Sequence, residues 1–187
     1  MDEKLELIKK SQQKLIEQCK KGNQRAQYDL YQQYADSMYN IAHRITGTQP
    51  DAEDALQEAF IKAFQKIGSF KGESTFGAWL KRIVVNQCIS DIRKRKAHFE
   101  EFGNEAEKKL ENEDEPQISE KVPINKVMDA IDELPDGARV VFTLKAIEEY
   151  KFKEIAEMLS LSESNCKVQY HRSKKLLSKK LSEVIEM

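Results

Sequence analysis

Between Phe99 and Glu120 the chain carries nine carboxylates and only two lysines, a net charge of −7, with almost no apolar periodicity. A stretch of that composition has too little apolar surface to offset the entropy of ordering it, so it cannot contribute to a core. Gly103, Asn104, Asn112 and Pro116 within it strengthen the reading of a flexible linker. The fold must therefore be built in two modules, and the sequence divides into residues 1–98, a linker over 99–121, and residues 122–187. The segments on either side are basic: residues 81–98 carry net +5 and residues 164–181 net +6. The formal charge of −1 for the whole chain conceals this segregation.

Both modules are expected to be helical. Only 7 Gly and 4 Pro occur in 187 residues, about half the usual share of the residues that turn strands and stop helices. No apolar run exceeds three residues, whereas a membrane span needs about 20. No membrane insertion is expected, and the chain is placed in the cytoplasm. Cys19, Cys88 and Cys166 form no C-x-x-C pair, which suits buried thiols in a reducing compartment. His43, His98 and His171 stand at no familiar metal-ligand spacing from those cysteines, and no nucleophile elbow, zinc-protease or phosphate-loop motif is present. Neither a metal, a cofactor nor an enzymatic activity is expected.

In the first module, Ala52, Ala55, Leu56, Ala59, Phe60, Ala63, Phe64 and Ile67 keep a three-four spacing, which predicts an amphipathic helix. Pro50 and Asp51 suit its first turn. Asp51, Asp54 and Glu58 project away from the apolar stripe, with Glu53 and Gln57 nearer its margin; the face is either a solvated surface or an acidic docking surface. Gly68 to Gly77 follows, a loop with Phe70, Lys71 and Phe76 in otherwise polar surroundings. Aromatic rings beside a lysine suit stacking on an unpaired base, although the same rings would also serve as core. Ser74 or Thr75 can cap the next helix, about 76–96, whose Leu80, Ile83, Val84, Val85, Cys88, Ile89 and Ile92 place it centrally. On one edge of that helix Trp79, Arg82, Asn86 and Arg93 fall within about 60° of each other. Indole, guanidinium and amide groups in line offer contacts to a base face, to phosphates and to base edges. A core Trp79 and a surface Asn86 are the plainer alternative.

The second module is expected to begin with a helix through Ile124, Val127, Met128, Ile131 and Leu134. Leu134 to Gly137 then reads as a turn, and Val140, Val141, Leu144 and Ile147 mark a second helix. A break near Tyr150 precedes a short helix from Phe152 to Leu159, a tight turn at Ser160–Ser162 and a long helix from Glu163, the order of a helix-turn-helix. Cys166, Tyr170, Ser173, Leu177 and Leu181 point inward on that last helix. Ser164, Lys167, Val168, His171, Arg172 and Lys175 lie opposite, with Asn165 in the first turn. A basic face with one apolar residue at its centre suits the major groove, where Val168 can meet a thymine methyl group.

On these motifs the chain resembles the extracytoplasmic-function (ECF) group of bacterial RNA polymerase sigma factors. Asp51-Ala-Glu-Asp-Ala-Leu-Gln-Glu-Ala-Phe60 is similar to that group's polymerase-binding helix. Phe70 through Asn86 is similar to its −10-element segment, and Leu134-Pro135 through Leu177 to its −35-element domain. The resemblance implies that core RNA polymerase and promoter DNA are the partners, with an anti-sigma factor as a third. It also implies that Asp51, Glu53, Asp54, Gln57 and Glu58 dock on the polymerase, and that the Phe70–Phe76 loop and Asn86 capture flipped bases. The helix over 163–175 would read the −35 element. Where the group often has Thr-Val-Lys-Ser-Arg, this chain has Asn165-Cys-Lys-Val-Gln169 and so lacks an arginine. A stand-alone helix-turn-helix regulator that binds duplex DNA as a dimer is the competing reading.

A flexible linker of about 24 residues has a root-mean-square span near 27 Å, and the two promoter elements lie more than one DNA turn, about 35 Å, apart. The free chain would rarely hold both modules at that separation. The polymerase is expected to set the spacing.

Overall fold

The structure is a computed structural model that describes residues 2–95 and 122–185. The acidic linker expected over 99–121 lies outside those residues. Eight α-helices are described: α1 (Asp2–Lys20), α2 (Gln24–Thr46), α3 (Gln49–Lys66), α4 (Phe76–Arg95), α5 (Ile124–Asp132), α6 (Asp136–Phe142), α7 (Phe152–Leu159) and α8 (Glu163–Ile185). A 3-10 turn at Ile67–Ser69 follows α3, and a π-helical turn at Thr143–Ile147 continues α6. No strand occurs among the described residues. The described residues fall into two compact units, residues 2–43 with 49–88, and residues 44–48 with 89–95 and 122–185.

In the first unit, α1 ends where Gly22 takes φ +78°, a left-handed conformation that glycine adopts without steric cost. Its amide donates to the Cys19 carbonyl at 2.9 Å, and Asn23 then caps α2 by accepting the Ala26 amide at 3.0 Å. The spacing predicted for α3 is realised: Ala52, Ala55, Leu56, Ala59, Phe60 and Ala63 are all buried. Four alanines on this face let neighbouring helices approach closely, while Phe60 fills the remaining space against Tyr31, their ring centroids 4.7 Å apart. Leu80, Val84, Val85 and Cys88 of α4 are fully buried, so α4 is a central helix as its composition requires. Thr75 caps it, its Oγ1 accepting the Ala78 amide at 3.2 Å.

The second unit is organised by α8, which packs against α5, α6 and α7. Ala130, Ile131, Leu134, Leu177 and Leu181 form one buried cluster, while Val140, Val141, Leu144, Ile155, Leu159 and Cys166 are also buried. The turn expected at 134–137 is shorter than the sequence suggested. Pro135 is the residue before α6, and Asp136 and Gly137 already belong to that helix. A fixed φ near −65° prepares Pro135 for a helix start, and Asp136 complements the dipole in the first turn. Asp136 also accepts Arg139 Nη2 at 2.7 Å, and Nη1 of the same guanidinium reaches the Leu134 carbonyl at 3.2 Å. Arg139 is 5% exposed, and burial lowers its pKa from the usual arginine value.

Candidate nucleic-acid interface

The acidic face of α3 is a consequence of its buried stripe. With the alanines and Phe60 turned inward, Glu53, Asp54, Gln57 and Glu58 are exposed and Asp51 is half-buried. Gln49 Nε2 donates to Glu53 Oε1 at 2.8 Å, which holds that carboxylate along the first turn of the helix. The result is a row of carboxylates and one amide over about two turns, suited to a cationic protein surface rather than to DNA, whose phosphates it would repel.

The loop after α3 differs from a display of exposed rings. Phe70 is 9% and Phe76 2% exposed, so both fold back into the unit. Their ring centroids lie 5.6 Å apart, and both sit 5.4 Å from the indole of Trp79. Tyr34 of α2 packs on Phe76 at 5.4 Å. Edge and tilted contacts of this kind stabilise an aromatic cluster by about 0.5–1.5 kcal/mol per pair beyond area burial, and here they draw both phenylalanines out of the solvent. Lys71 remains exposed and Trp79 half-buried. Arg82 and Asn86 continue outward along the same edge of α4, both exposed. The surface is thus an indole over a buried aromatic base, followed by a guanidinium and an amide.

Arg93 belongs to the second unit. Its guanidinium donates to the Met158 carbonyl and, at 2.9 Å, to Ser160 Oγ, at the end of α7. It is therefore engaged differently from Arg82 and Asn86, although all three share one helical edge. Gln87, which the sequence reading passed over, is buried at 4% exposure and accepts a hydrogen bond from Lys62 Nζ. Its position beside Asn86 is the only signal the sequence carries for it.

Helix α7, the turn and α8 follow the expected pattern. Glu154 accepts the Lys151 amide at 2.7 Å at the start of α7. The helix ends at Ser160, whose φ of +54° reverses the chain, and Ser162 caps α8 by accepting the Asn165 amide at 3.0 Å. Ala156 is buried beside Ile155 and Leu159. On α8, Cys166, Ser173, Leu177 and Leu181 are buried, and Gln169 joins them at 2% exposure. Tyr170 is half-buried, stacked near Phe142 with centroids 5.9 Å apart. Ser164, Lys167, His171, Arg172 and Lys175 are exposed, and Val168 and Asn165 are partly exposed among them. Burial pushes the Cys166 thiol up to about 11, and the Glu163 carboxylate adds to the shift. Cys19 and Cys88 are buried free thiols as well. Among the described residues, no group of three His, Cys, Asp or Glu side chains could hold a metal ion, and no helix is long and apolar enough to cross a membrane.

Two family models match the chain in order, sigma-70 region 2 over residues 30–98 and sigma-70 region 4 over residues 124–177. The first contains α3 and α4, and the second runs from α5 into α8. The chain is 34% identical over 182 residues to the ECF RNA polymerase sigma factor SigW of Bacillus subtilis, an alignment covering 91% of this chain and 97% of that one. It is 29% identical to the ECF RNA polymerase sigma-E factor of Escherichia coli K12, over 92% of this chain and 95% of the relative. Among solved structures, the sigma factor RpoE of Bartonella quintana, crystallised with the anti-sigma factor NepR, shares the fold with a TM-score of 0.52. The identity is 22%, and the match covers 82% of this chain and 97% of that one.

Proposed function

This chain belongs to the ECF group of bacterial RNA polymerase sigma factors, and from that membership we propose how its residues divide the work of starting transcription. Sigma factors confer promoter recognition and initiation on core RNA polymerase and are not themselves enzymes. The exposed row Asp51, Glu53, Asp54, Gln57 and Glu58 on α3 docks on the polymerase. Trp79, Arg82 and Asn86 on α4, with Lys71 beside them, engage the opened −10 element. Phe70 and Phe76 act there from below, as the buried aromatic base that holds the indole in place for a flipped base. Ser164, Asn165, Lys167, Val168, His171, Arg172 and Lys175 on α8 engage the −35 duplex. Arg93 reaches the DNA only by leaving Met158 and Ser160. The two modules divide as residues 1–98 and 122–187.

The observation that carries this reading is the sorting of side chains on three helices. Helices α3, α4 and α8 each bury their apolar stripe and turn outward the charged and amide groups that a polymerase surface, an opened strand and a duplex respectively require. The protein works in the cytoplasm, and an anti-sigma factor controls it as NepR is bound to the Bartonella relative.

Run-off transcription with purified core polymerase on genomic promoter fragments tests the proposal. Wild type is expected to produce new start sites. An Asp54→Lys, Glu58→Lys double variant, reversing two exposed charges that need no partner for folding, is expected to lose at least tenfold of that signal while keeping its helical content. Equal transcription by both proteins would remove α3 from the polymerase contact. Tight, specific duplex binding by the free chain with no starts would favour a stand-alone regulator.

A further inference from the structure

Helix α1 turns an amide inward. At about 100° per residue, Gln12, Ile16 and Cys19 fall within about 60° of each other on its circumference, and Ile16 and Cys19 are buried. Gln12 is half-buried in this otherwise apolar stripe. An amide withdrawn from water is destabilising unless a partner replaces the lost hydrogen bonds. Tyr34 of α2 is that partner: Gln12 Nε2 donates to the phenol oxygen. Burial raises the Tyr34 pKa above its ordinary value, and the bond from Gln12 opposes the shift. The phenol is therefore neutral and held by the amide.

The Tyr34 ring carries that constraint to the start of α4. It packs on Phe76 with centroids 5.4 Å apart. A methyl group at Gly77 would stand 3.0 Å from Tyr34 Cε1, so the ring lies against the backbone of the first turn and glycine leaves room for it. Phe76 in turn lies 5.4 Å from the indole of Trp79, as does Phe70. Helix α1 also packs against the 3-10 turn Ile67–Ser69, where the Phe70 amide donates to the Ile67 carbonyl at 3.1 Å. Both phenylalanines beneath the indole are thus braced from α1, Phe70 through that turn and Phe76 through Tyr34.

We propose that Gln12 and Tyr34 are positioning residues for −10 base capture, fixing the indole of Trp79 in the orientation on which a flipped base stacks. The inference rests on the reading of Trp79 as a −10 contact and adds to it two residues behind that surface. The physical reason is pre-organisation. A ring already ordered in the free protein receives a base at less entropic cost than one that must be ordered on contact. Contacts between rings tolerate a range of tilts and offsets, whereas a hydrogen bond is directional. The bond from Gln12 therefore supplies the orientation that the aromatic cluster leaves soft.

Trp79 is the single tryptophan of the chain, so its fluorescence reports the indole directly. Excited at the red edge of its absorption, where tyrosine is silent, the free full chain should show a larger fast component of anisotropy decay after Gln12→Leu or Tyr34→Phe. Both substitutions remove the hydrogen bond and nearly keep the volume. Affinity is then measured with holoenzyme, reconstituted from core polymerase and the full chain, on a fork-junction fragment whose −10 non-template strand is unpaired. Each variant should bind about threefold more weakly, within the reach of one neutral hydrogen bond, and the double variant no more weakly than either alone. Trp79→Ala should weaken binding about tenfold through loss of a base–aromatic stack. In a Trp79→Ala background, Gln12→Leu should have no further effect, and affinity for core polymerase should be the same throughout.

Unchanged anisotropy decay or unchanged fork binding in both hydrogen-bond variants overturns the positioning role, while Trp79 keeps its own if Trp79→Ala weakens binding. An equal loss from Gln12→Leu with and without the indole shows that Gln12 acts by another route, which overturns the proposal as well. If Trp79→Ala binds the fork like wild type, the indole stacks no base and both readings fall. Should Gln12→Leu unfold at a lower urea midpoint, Tyr34→Phe removes the same bond from its other end and decides the outcome.

Discussion

The Cys166 thiol is a small group in which packing, charge and stability meet. It is fully buried on the inner face of α8, and the carboxylate of Glu163 lies near enough to oppose its ionisation. Both effects favour the neutral thiol, so its pKa in the folded protein, about 11, lies above that of an exposed cysteine. The sign of the consequence follows from proton counting. Above the unfolded thiol's pKa the unfolded chain has released its proton and the folded chain has not, so stability falls as pH rises and is lost progressively up to the folded value. Urea unfolding at pH 8 and pH 10 should show a drop in wild type that is smaller in Cys166→Ala; an equal drop would assign the alkaline loss to other groups. Leu144, fully buried in the π-helical turn, has no titrating group and contributes only through contact. Its truncation to alanine should cost about 2–5 kcal/mol, read from the urea midpoint.

At the scale of elements, the recognition helix depends on how it begins. The left-handed Ser160 ends α7, and two residues later Ser162 supplies the side-chain oxygen that satisfies an otherwise unpaired amide of α8. A β-region residue with a short oxygen side chain is what this place requires, and alanine cannot replace it. Ser162→Ala is expected to lower stability by about 1 kcal/mol in urea unfolding. The first turn of α8 would fray at the same time, and because Ser164 and Asn165 lie in that turn, promoter binding by holoenzyme should weaken more than the stability loss predicts. A variant that loses stability but keeps full affinity would show that the first turn makes no DNA contact. The helix-turn-helix boundaries were legible because serine, glycine-poor turns and three-four apolar spacing act locally. The start of α6 was less so, since Leu134-Pro135-Asp136-Gly137 has turn chemistry, yet the same proline and aspartate also open a helix. Helices α1 and α2 were signalled too, by Gly22 and Asn23 as an adjoining stop and cap, a signal the reading of motifs passed over.

For the whole molecule, the basic surfaces of α4 and α8 are set in a chain whose formal net charge is only −1. Long-range attraction to DNA is correspondingly weak, because the acidic residues oppose it over distances comparable to the screening length. The free protein is expected to bind promoter fragments weakly and with steep salt dependence, and to give a footprint over both promoter elements only when core polymerase is added. A specific footprint from the free chain at physiological salt would overturn this. The sequence by itself determined the helical class, the periodic faces of α3, α4 and α8, and the family. All of these depend on local spacing and composition, which one chain displays in full. Only the tertiary structure decided that Phe70 and Phe76 withdraw into an aromatic cluster with Trp79 and Tyr34, that Gln87 and Gln169 are buried, and that Arg93 serves the end of α7. Those outcomes turn on which groups meet across distant parts of the chain, and an aromatic ring or an amide has the same local preferences whether a partner awaits it or not.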